Sequence, residues 1–176
     1  MEIRGHRHQS LKSDRLLLRE LKESDVEDMF EWTSDDKVTK FLTWPTHQNI
    51  EVTKEILSKW LNQYETDPTC FRFGIVLRSE KKLIGNIDVV SFENDCPEIG
   101  YCLNSKYWNQ GYMSEALKVF CDYLFTFNIK KIIIAADKDN IASNKVIKKN
   151  GFVFTHESIK NIKNHACILN YYELIK

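Results

Sequence analysis

The sequence predicts a mixed α/β domain, with about seven strands in one central sheet and about four helices. Three patterns lead to that expectation. Apolar runs of strand length are interleaved with stretches whose apolar residues recur at helical spacing. Three of the strand segments follow one another across short turns, as an antiparallel meander requires. The next two flank an amphipathic helix, which implies a right-handed crossover between parallel neighbours.

At 176 residues the chain is expected to form a single domain with a sizeable core, and residues 1–12 are expected to be a flexible N-terminal tail. His6 and His8 in that tail could bind metal adventitiously or simply belong to a disordered end. Lys and Arg number 25, as do Asp and Glu, so no global field argues for nucleic acid or an anionic membrane. No signal-like or bilayer-length apolar run is present, and a cytoplasmic location is expected. Cys70, Cys96, Cys102, Cys121 and Cys167 form no CxxC pair and no metal-ligand spacing. Reduced thiols and no bound metal are therefore expected. Neither an internal repeat nor a linker is visible.

Arg15–Leu21 reads as the first strand. Ser24-Asp25-Val26-Glu27 has the spacing of a capping box, and Val26, Met29, Phe30 and Thr33 mark the inner face of the helix it opens. A loop follows from Phe41 to His47. A second helix is expected from about Asn49 to Tyr64, with Thr53, Ile56, Leu57, Trp60, Leu61 and Tyr64 on one side. Asp67-Pro68 ends it. Phe71–Leu77, Leu83–Phe92 and Glu98–Leu103 form the meander. A central helix carries Met113, Ala116, Leu117, Phe120 and Leu124 on one face and ends near Phe127-Asn128. Lys131–Ala136 is continuously apolar after its lysine, as a strand buried on both faces would be. Asp139-Asn140 opens a last helix, which closes at Asn150-Gly151. Phe152–His156 and Ala166–Leu174 read as a terminal pair of strands.

Between the Glu98–Leu103 strand and the central helix lies a loop carrying Gly111. The first N–H groups of a helix lack internal partners and carry the positive end of its dipole. A glycine there lets an anion approach the main chain, so the loop is a candidate phosphate cradle, with plain turn geometry as the alternative. Neither GxxxxGK[ST] nor GxGxxG is present. The cradle sits at the carboxyl ends of two parallel strands, where open sheets bind ligands.

Two segments together resemble a family signature. Glu98-Ile99-Gly100-Tyr101, with Tyr107 to Leu117, is similar to the acetyl-CoA motif of GNAT-type N-acetyltransferases. Asn140-Ile141-Ala142-Ser143-Asn144, with Lys149-Asn150-Gly151-Phe152, is similar to their second motif. The branch resembled is the RimJ/RimL-like one, which includes ribosomal-protein N-terminal acetyltransferases and relatives acting on polyamines or antibiotics. The element order matches the GNAT fold from about Leu16 to Leu174.

The resemblance implies a splayed sheet with acetyl-CoA wedged where Glu98–Leu103 and Lys131–Ala136 part. It implies pantetheine bonded by the backbone of Tyr101, Cys102 and Leu103. The pyrophosphate would be held by the N–H groups of Asn109, Gln110, Gly111, Tyr112, Met113 and Ser114. Asn140 and Asn144 would contact the pantetheine arm near its thiol. Three residues depart from the common pattern. Trp108 stands where many members have Gln or Arg, and Met113 replaces a usual Gly or Ala. Ile147 lies where many place the tyrosine that protonates the leaving thiolate, and Ser143 is the position this branch resembles in its place.

Acetyl transfer needs a deprotonated amine, and an α-amino group has a pKa of ~8, a lysine ~10. The expected base is Glu98, which shares a strand face with Gly100 and Cys102; a carboxylate paired with Lys or Arg is the alternative. The N–H of Leu103 is the expected oxyanion donor, such a donor being worth ~3 kcal/mol of barrier. Ser143 is the candidate acid or merely bonds the backbone. Cys102 can also be read as a small buried strand residue. Lys145, Lys148 and Lys149 suit either the helix dipole or a 3′-phosphate. Trp44, His47 and Asp88 are placed where GNAT acceptors enter, although the Trp44–His47 loop could equally be a packed corner. The expected reaction is direct transfer to a primary amine in a ternary complex, by a monomer or homodimer. A non-catalytic acyl-CoA-binding module is the alternative, and an unrelated phosphate-ligand binder a third.

Overall fold

The meander and the parallel crossover both form, in a computed structural model that describes residues 9–93 and 95–176. Residues 1–8, with His6 and His8, lie outside the described residues. The strands are β1 (Leu11–Lys12), β2 (Leu16–Arg19), β3 (Arg72–Leu77), β4 (Lys82–Glu93), β5 (Cys96–Leu103), β6 (Lys131–Asp137), β7 (Val153–Ile162) and β8 (His165–Ile175). The helices are α1 (Val26–Thr33), α2 (Asp36–Thr39), α3 (Ile50–Thr66), α4 (Tyr112–Leu124) and α5 (Ile141–Lys149). Sheet order is β1-β2-β3-β4-β5-β6-β8-β7, and among the described residues only the β5–β6 contact is parallel.

Two elements exceed the sequence expectation of about seven strands and four helices. Leu11 and Lys12, placed within the expected tail, pair with Leu18 and Leu17 as β1. The four-residue α2 forms because the Asp35 carboxylate accepts the Lys37 N–H at 2.9 Å. The start of α1 also differs. Ser24 does not cap it; the Asp25 carboxylate accepts the Lys22 N–H at 2.8 Å and both Arg19 Nη groups at 2.8 Å. A charge neutralised by arginine is a stronger acceptor there than a serine hydroxyl. α3 begins as expected, with Asn49 Oδ1 accepting the Val52 N–H at 3.1 Å.

Each face of the sheet is covered by its own core. Phe73, Ile87, Ile99, Leu117, Phe120, Leu124, Ile134 and Ile147 pack α4 and α5 on one side. Met29, Trp32, Leu57, Tyr64, Leu83 and Cys102 pack α1 and α3 on the other. Alternate residues of β5 therefore look toward different helices, which decides which side chains can meet a ligand from which side.

Candidate active site

β5 and β6 pair at two positions only, Glu98 with Ile133 and Ile99 with Ile134. Beyond them β5 continues to Leu103 and β6 to Asp137 without contact in the ladder, so the sheet splays open at the carboxyl ends of both strands. One cause lies on β4. The register slips between Val89 and Ser91, so Val90 is an extra residue, and such a bulge sharpens the local twist. Gly100 accommodates it: a Cβ on Gly100 would stand 2.7 Å from Val90 Cγ1.

The parting leaves backbone unpaired. Asn104 N–H bonds Ile84 O at 2.7 Å, and by antiparallel alternation the N–H and C=O of Cys102 and Gly100 also face β4. Those of Tyr101 and Leu103 face the gap instead. Leu103 O already accepts the Trp108 indole N–H at 2.8 Å, whereas its N–H has no partner in the ladder. Of the three residues expected to bond pantetheine, Tyr101 and Leu103 thus present main-chain groups to the gap, and Cys102 does not. The Cys102 thiol points the other way, donating to Asn86 Oδ1 at 2.9 Å in a setting whose burial pushes its pKa up.

The loop entering α4 has two left-handed residues, Asn109 (φ 59°) and Gly111 (φ 81°). They turn the chain so that the first amides of α4 open toward solvent at the mouth of the gap. Met113 is buried in the core, so the side chain that departs from the family pattern lies away from the loop. Ser114 Oγ accepts from Asn150 Nδ2 at 3.0 Å, tying α4 to the end of α5. Arg15 grips the whole turn. Its Nη1 donates to Gln110 O at 2.9 Å, its Nε to Glu115 Oε2 at 2.7 Å, and its guanidinium lies 4.3 Å from the Tyr112 ring centroid. Ser13 and Arg15, together with burial, shift the pKa of Glu115, and the hydrogen bonds and cation outweigh burial so that it is lowered. A carboxylate in this first turn would repel a phosphate were it not neutralised.

Across the gap, Asn140 Oδ1 accepts the Ser143 N–H at 3.1 Å and starts α5. Asn144 is fully engaged. Its amide donates to Asp137 O (2.8 Å) and Asn140 O (2.7 Å), and its oxygen accepts from Tyr172 Oη (2.6 Å) and Asn170 Nδ2 (3.0 Å). Ser143 Oγ and Tyr101 Oη lie 2.9 Å apart, joining α5 to β5 over the splay. Burial pushes the Tyr101 phenol up to about 12. Ile147 is 0% exposed within the core. Lys148 and Lys149 occupy the last turn of α5.

On the opposite face Glu98 is half-buried, accepts from Ser91 Oγ at 3.2 Å and has no ion pair among the described residues. Asp88 is 8% exposed and accepts from Arg72 Nε at 3.0 Å. His47 is buried in a corner, with Nδ1 2.8 Å from Thr53 Oγ1, and burial lowers its pKa. Trp44 is half-buried, its ring centroid 5.3 Å from that of His47. At the tip of the β7–β8 hairpin, Lys163 Nζ donates to Thr39 O (2.8 Å) and Lys40 O (3.4 Å) at the end of α2. No group of three or more His, Cys, Asp and Glu that could hold a metal occurs among the described residues. No helix among them is long and apolar enough to cross a membrane.

The sequence reading did not find Arg15, Glu115, Arg72 or the Tyr101 hydroxyl. No spacing connects residue 15 to residue 115; only the sheet, which lays β2 against the start of α4, brings them together.

A splayed sheet with an amide cradle at its mouth defines a class, and the comparisons agree. Residues 15–153 match the Acetyltransferase (GNAT) domain family, so the chain belongs to the GNAT acetyltransferases. A relative in Bacillus subtilis (strain 168), "Uncharacterized N-acetyltransferase YnaD", is 34% identical over 143 residues, 80% of this chain and 81% of that one. A solved GNAT-family acetyltransferase from Bacillus anthracis superimposes with TM-score 0.84 at 27% identity, covering 95% of this chain and 98% of that one. The structural neighbours include RimL, the ribosomal L7/L12 α-N-protein acetyltransferase in complex with coenzyme A. Its TM-score is 0.83 at 22% identity, over 95% of this chain and 98% of that one.

Proposed function

We propose that this acetyltransferase uses acetyl-CoA as donor and moves the acetyl group directly to a primary amine within a ternary complex. The observation that carries the reading is the Tyr101 backbone and the Leu103 N–H, without partners in the ladder, set beside the Arg15-braced turn of residues 109–114. A thioester carrier has the matching parts, an amide-bearing arm and a diphosphate. The amides of Asn109, Gln110, Gly111, Tyr112, Met113 and Ser114 hold the diphosphate, and Tyr101 and Leu103 extend the ladder along the arm. Asn140 and Asn144 fix the start of α5 beside the thiol end. The Leu103 N–H is the oxyanion donor, and Ser143, paired with Tyr101, hands a proton toward the departing thiolate.

The acceptor enters from the α1–α3 face past Trp44, behind which His47 is held in the corner against Thr53. Two carboxylates, Glu98 and Asp88, stand on that face for the amine's proton. A protein N-terminus is one acceptor class supported by the name of the RimL neighbour; a polyamine or small amine fits the same site. The protein acts in the cytoplasm as a monomer or homodimer, with no nucleic-acid or membrane partner.

Acetyl-CoA should raise the melting temperature, and acetyl-CoA-dependent thiol release should appear with at least one amine of a panel. No melting shift at millimolar acetyl-CoA would defeat the reading. The buried Ile147, which leaves the family's tyrosine position without an acid, favours one competitor, a non-catalytic acyl-CoA-binding module. That competitor predicts the melting shift with no thiol release from any amine.

A further inference from the structure

We propose that Asp88, rather than Glu98, is the group that takes the proton from the acceptor amine. The proposal rests on the acetyl-transfer reading and identifies which carboxylate serves it.

Position is the first argument. Asp88 on β4 lies opposite Gly100 on β5, and Gly100 is the first β5 residue past the ladder with β6. Asp88 therefore stands beside the apex of the gap. Its Oδ1 is 3.8 Å from the point a Gly100 Cβ would occupy; Gly100 itself adds no side chain there, and the exposed Val90 side chain borders the space at 2.7 Å. Glu98 is one step further back, within the closed part of the ladder, opposite Ile133.

Fixation is the second. Arg72 Nε holds Asp88 Oδ2, while Oδ1 accepts no hydrogen bond from any described residue. Arg72 is itself clamped by α3: Nη1 donates to Gln63 Oε1, and the guanidinium lies 4.4 Å from the Trp60 ring centroid. One carboxylate oxygen is anchored and the other left open, in a side chain almost wholly buried. Glu98 is held by a single serine hydroxyl, has no ion pair among the described residues, and is only partly buried. Preorganised groups outperform mobile ones at receiving a proton in a fixed geometry.

The electrostatic setting favours a carboxylate that holds a proton more readily than an ordinary aspartate. Burial raises the Asp88 carboxyl, and Arg72 pulls it back. The other titratable groups nearby are Cys70 beside β3, Cys102 on β5, Tyr64 on α3, and Glu98 on the same face as Gly100. Burial keeps the two thiols and the phenol protonated, so Arg72 is the cation among them. A charged ammonium arriving at Oδ1 meets an anion with few competitors. One N–H proton moves to Oδ1, and the freed nitrogen lone pair forms the C–N bond to the acetyl carbonyl carbon as the carbonyl electrons move onto oxygen. The carbonyl re-forms as the C–S bond breaks; the second proton on nitrogen passes through Ser143 to the thiolate, leaving a neutral amide and a free thiol, and Asp88 returns its own proton to water. Arg72 is a positioning residue in this scheme.

Asp88→Asn and Glu98→Gln are compared with the wild type. The readouts are the acetyl-CoA melting shift and thiol release with spermidine, a lysine peptide and peptides beginning Ser, Ala or Met. The expected result is a 10²–10⁴-fold loss of kcat in Asp88→Asn with the melting shift retained, and a loss of under tenfold in Glu98→Gln. Wild-type kcat should fall toward acid pH, and that fall should vanish in Asp88→Asn. Carboxyl ¹³C NMR of the wild type, which needs no variant to fold, should show Asp88 titrating above the ordinary aspartate range. Wild-type kcat in Asp88→Asn, the large loss in Glu98→Gln instead, or an Asp88 carboxyl titrating normally would each overturn the assignment. Loss of the melting shift in the wild type, or no turnover of any amine, would strike the acetyl-transfer reading itself.

Discussion

Arg15 and Glu115 stand 100 residues apart in sequence and form a two-pronged ion pair, with Nε and Nη2 each 2.7 Å from Oε2. The other carboxylate oxygen accepts from Ser13 Oγ at 2.6 Å and the Arg15 N–H at 3.0 Å. The pair fastens the strand edge to the first turn of α4 and removes a negative charge from the place where a diphosphate would lie. Arg15→Met leaves Glu115 bare. It should raise the KM for acetyl-CoA about tenfold, equivalent to ~1.4 kcal/mol, with a much smaller change in kcat. Steady-state kinetics at saturating amine checks the split.

Gly111 sits at φ 81°, and a Cβ there would come 3.4 Å from Arg15 Nη2. Gly111→Ala should cost ~1–2 kcal/mol from left-handed backbone strain alone. Gly111→Val adds a branched side chain against the guanidinium and should abolish the acetyl-CoA melting shift. Isothermal titration with acetyl-CoA on a variant confirmed folded by circular dichroism decides it.

Ser143 and Tyr101 share a hydrogen bond over the splay. If the serine hands on a proton, Ser143→Ala should lower kcat by about 10²-fold with little effect on acetyl-CoA binding. Tyr101→Phe removes the hydroxyl that orients it and should cost ~1 kcal/mol of stability with a smaller kcat loss. Single-turnover release of the thiol, followed against pH, separates the two variants.

Glu31 on α1 receives Lys82 Nζ at 2.8 Å, Lys106 Nζ at 3.0 Å and Asn104 Nδ2 at 3.2 Å, joining α1 to β4 and to the turn after β5. The Lys82 hydrogen bond chiefly, with burial opposing and Lys106 helping, holds its pKa down to about 2 from an ordinary 4.5. A carboxylate lowered on folding stabilises fully above its unfolded pKa and ceases to do so as pH falls through the folded one. Glu31→Gln should therefore lower the melting temperature by about 2–4 °C at pH 7. The gap to the wild type should close between pH 4.5 and 2. Thermal melts across that range test the sign.

The strand and helix order was readable because apolar period and turn chemistry are local, and both motifs lie on contiguous stretches. Asn49 and Asn140 were found as helix starts from residue type alone. Ser24 misled because its neighbour Asp25 gains Arg19, six residues back on β2, a pairing that helix-capping spacing does not announce. The full length of β7 was hidden because residues 157–162 are mostly exposed and polar, held in place by pairing with β8. The turn into α4 was legible from one glycine before a helix. What braces it was not, since Arg15 and Glu115 meet only once the sheet is assembled, as do Arg72 and Asp88 elsewhere. The same holds for His47 and Asn144, whose side chains the sequence offers to a ligand but which the structure finds hydrogen-bonded within the protein.

In the sheet ladder, two residue pairs join the first five strands to the last three among the described residues. A carrier lying along Tyr101 and Leu103 would supply the missing rungs, so that loading the donor and completing the sheet become one event. Amide protons on either side of that seam should then exchange quickly in the bare protein and slowly once the donor is aboard. The enzyme would be most cohesive at the moment it is armed, and loosest just after it lets its product go.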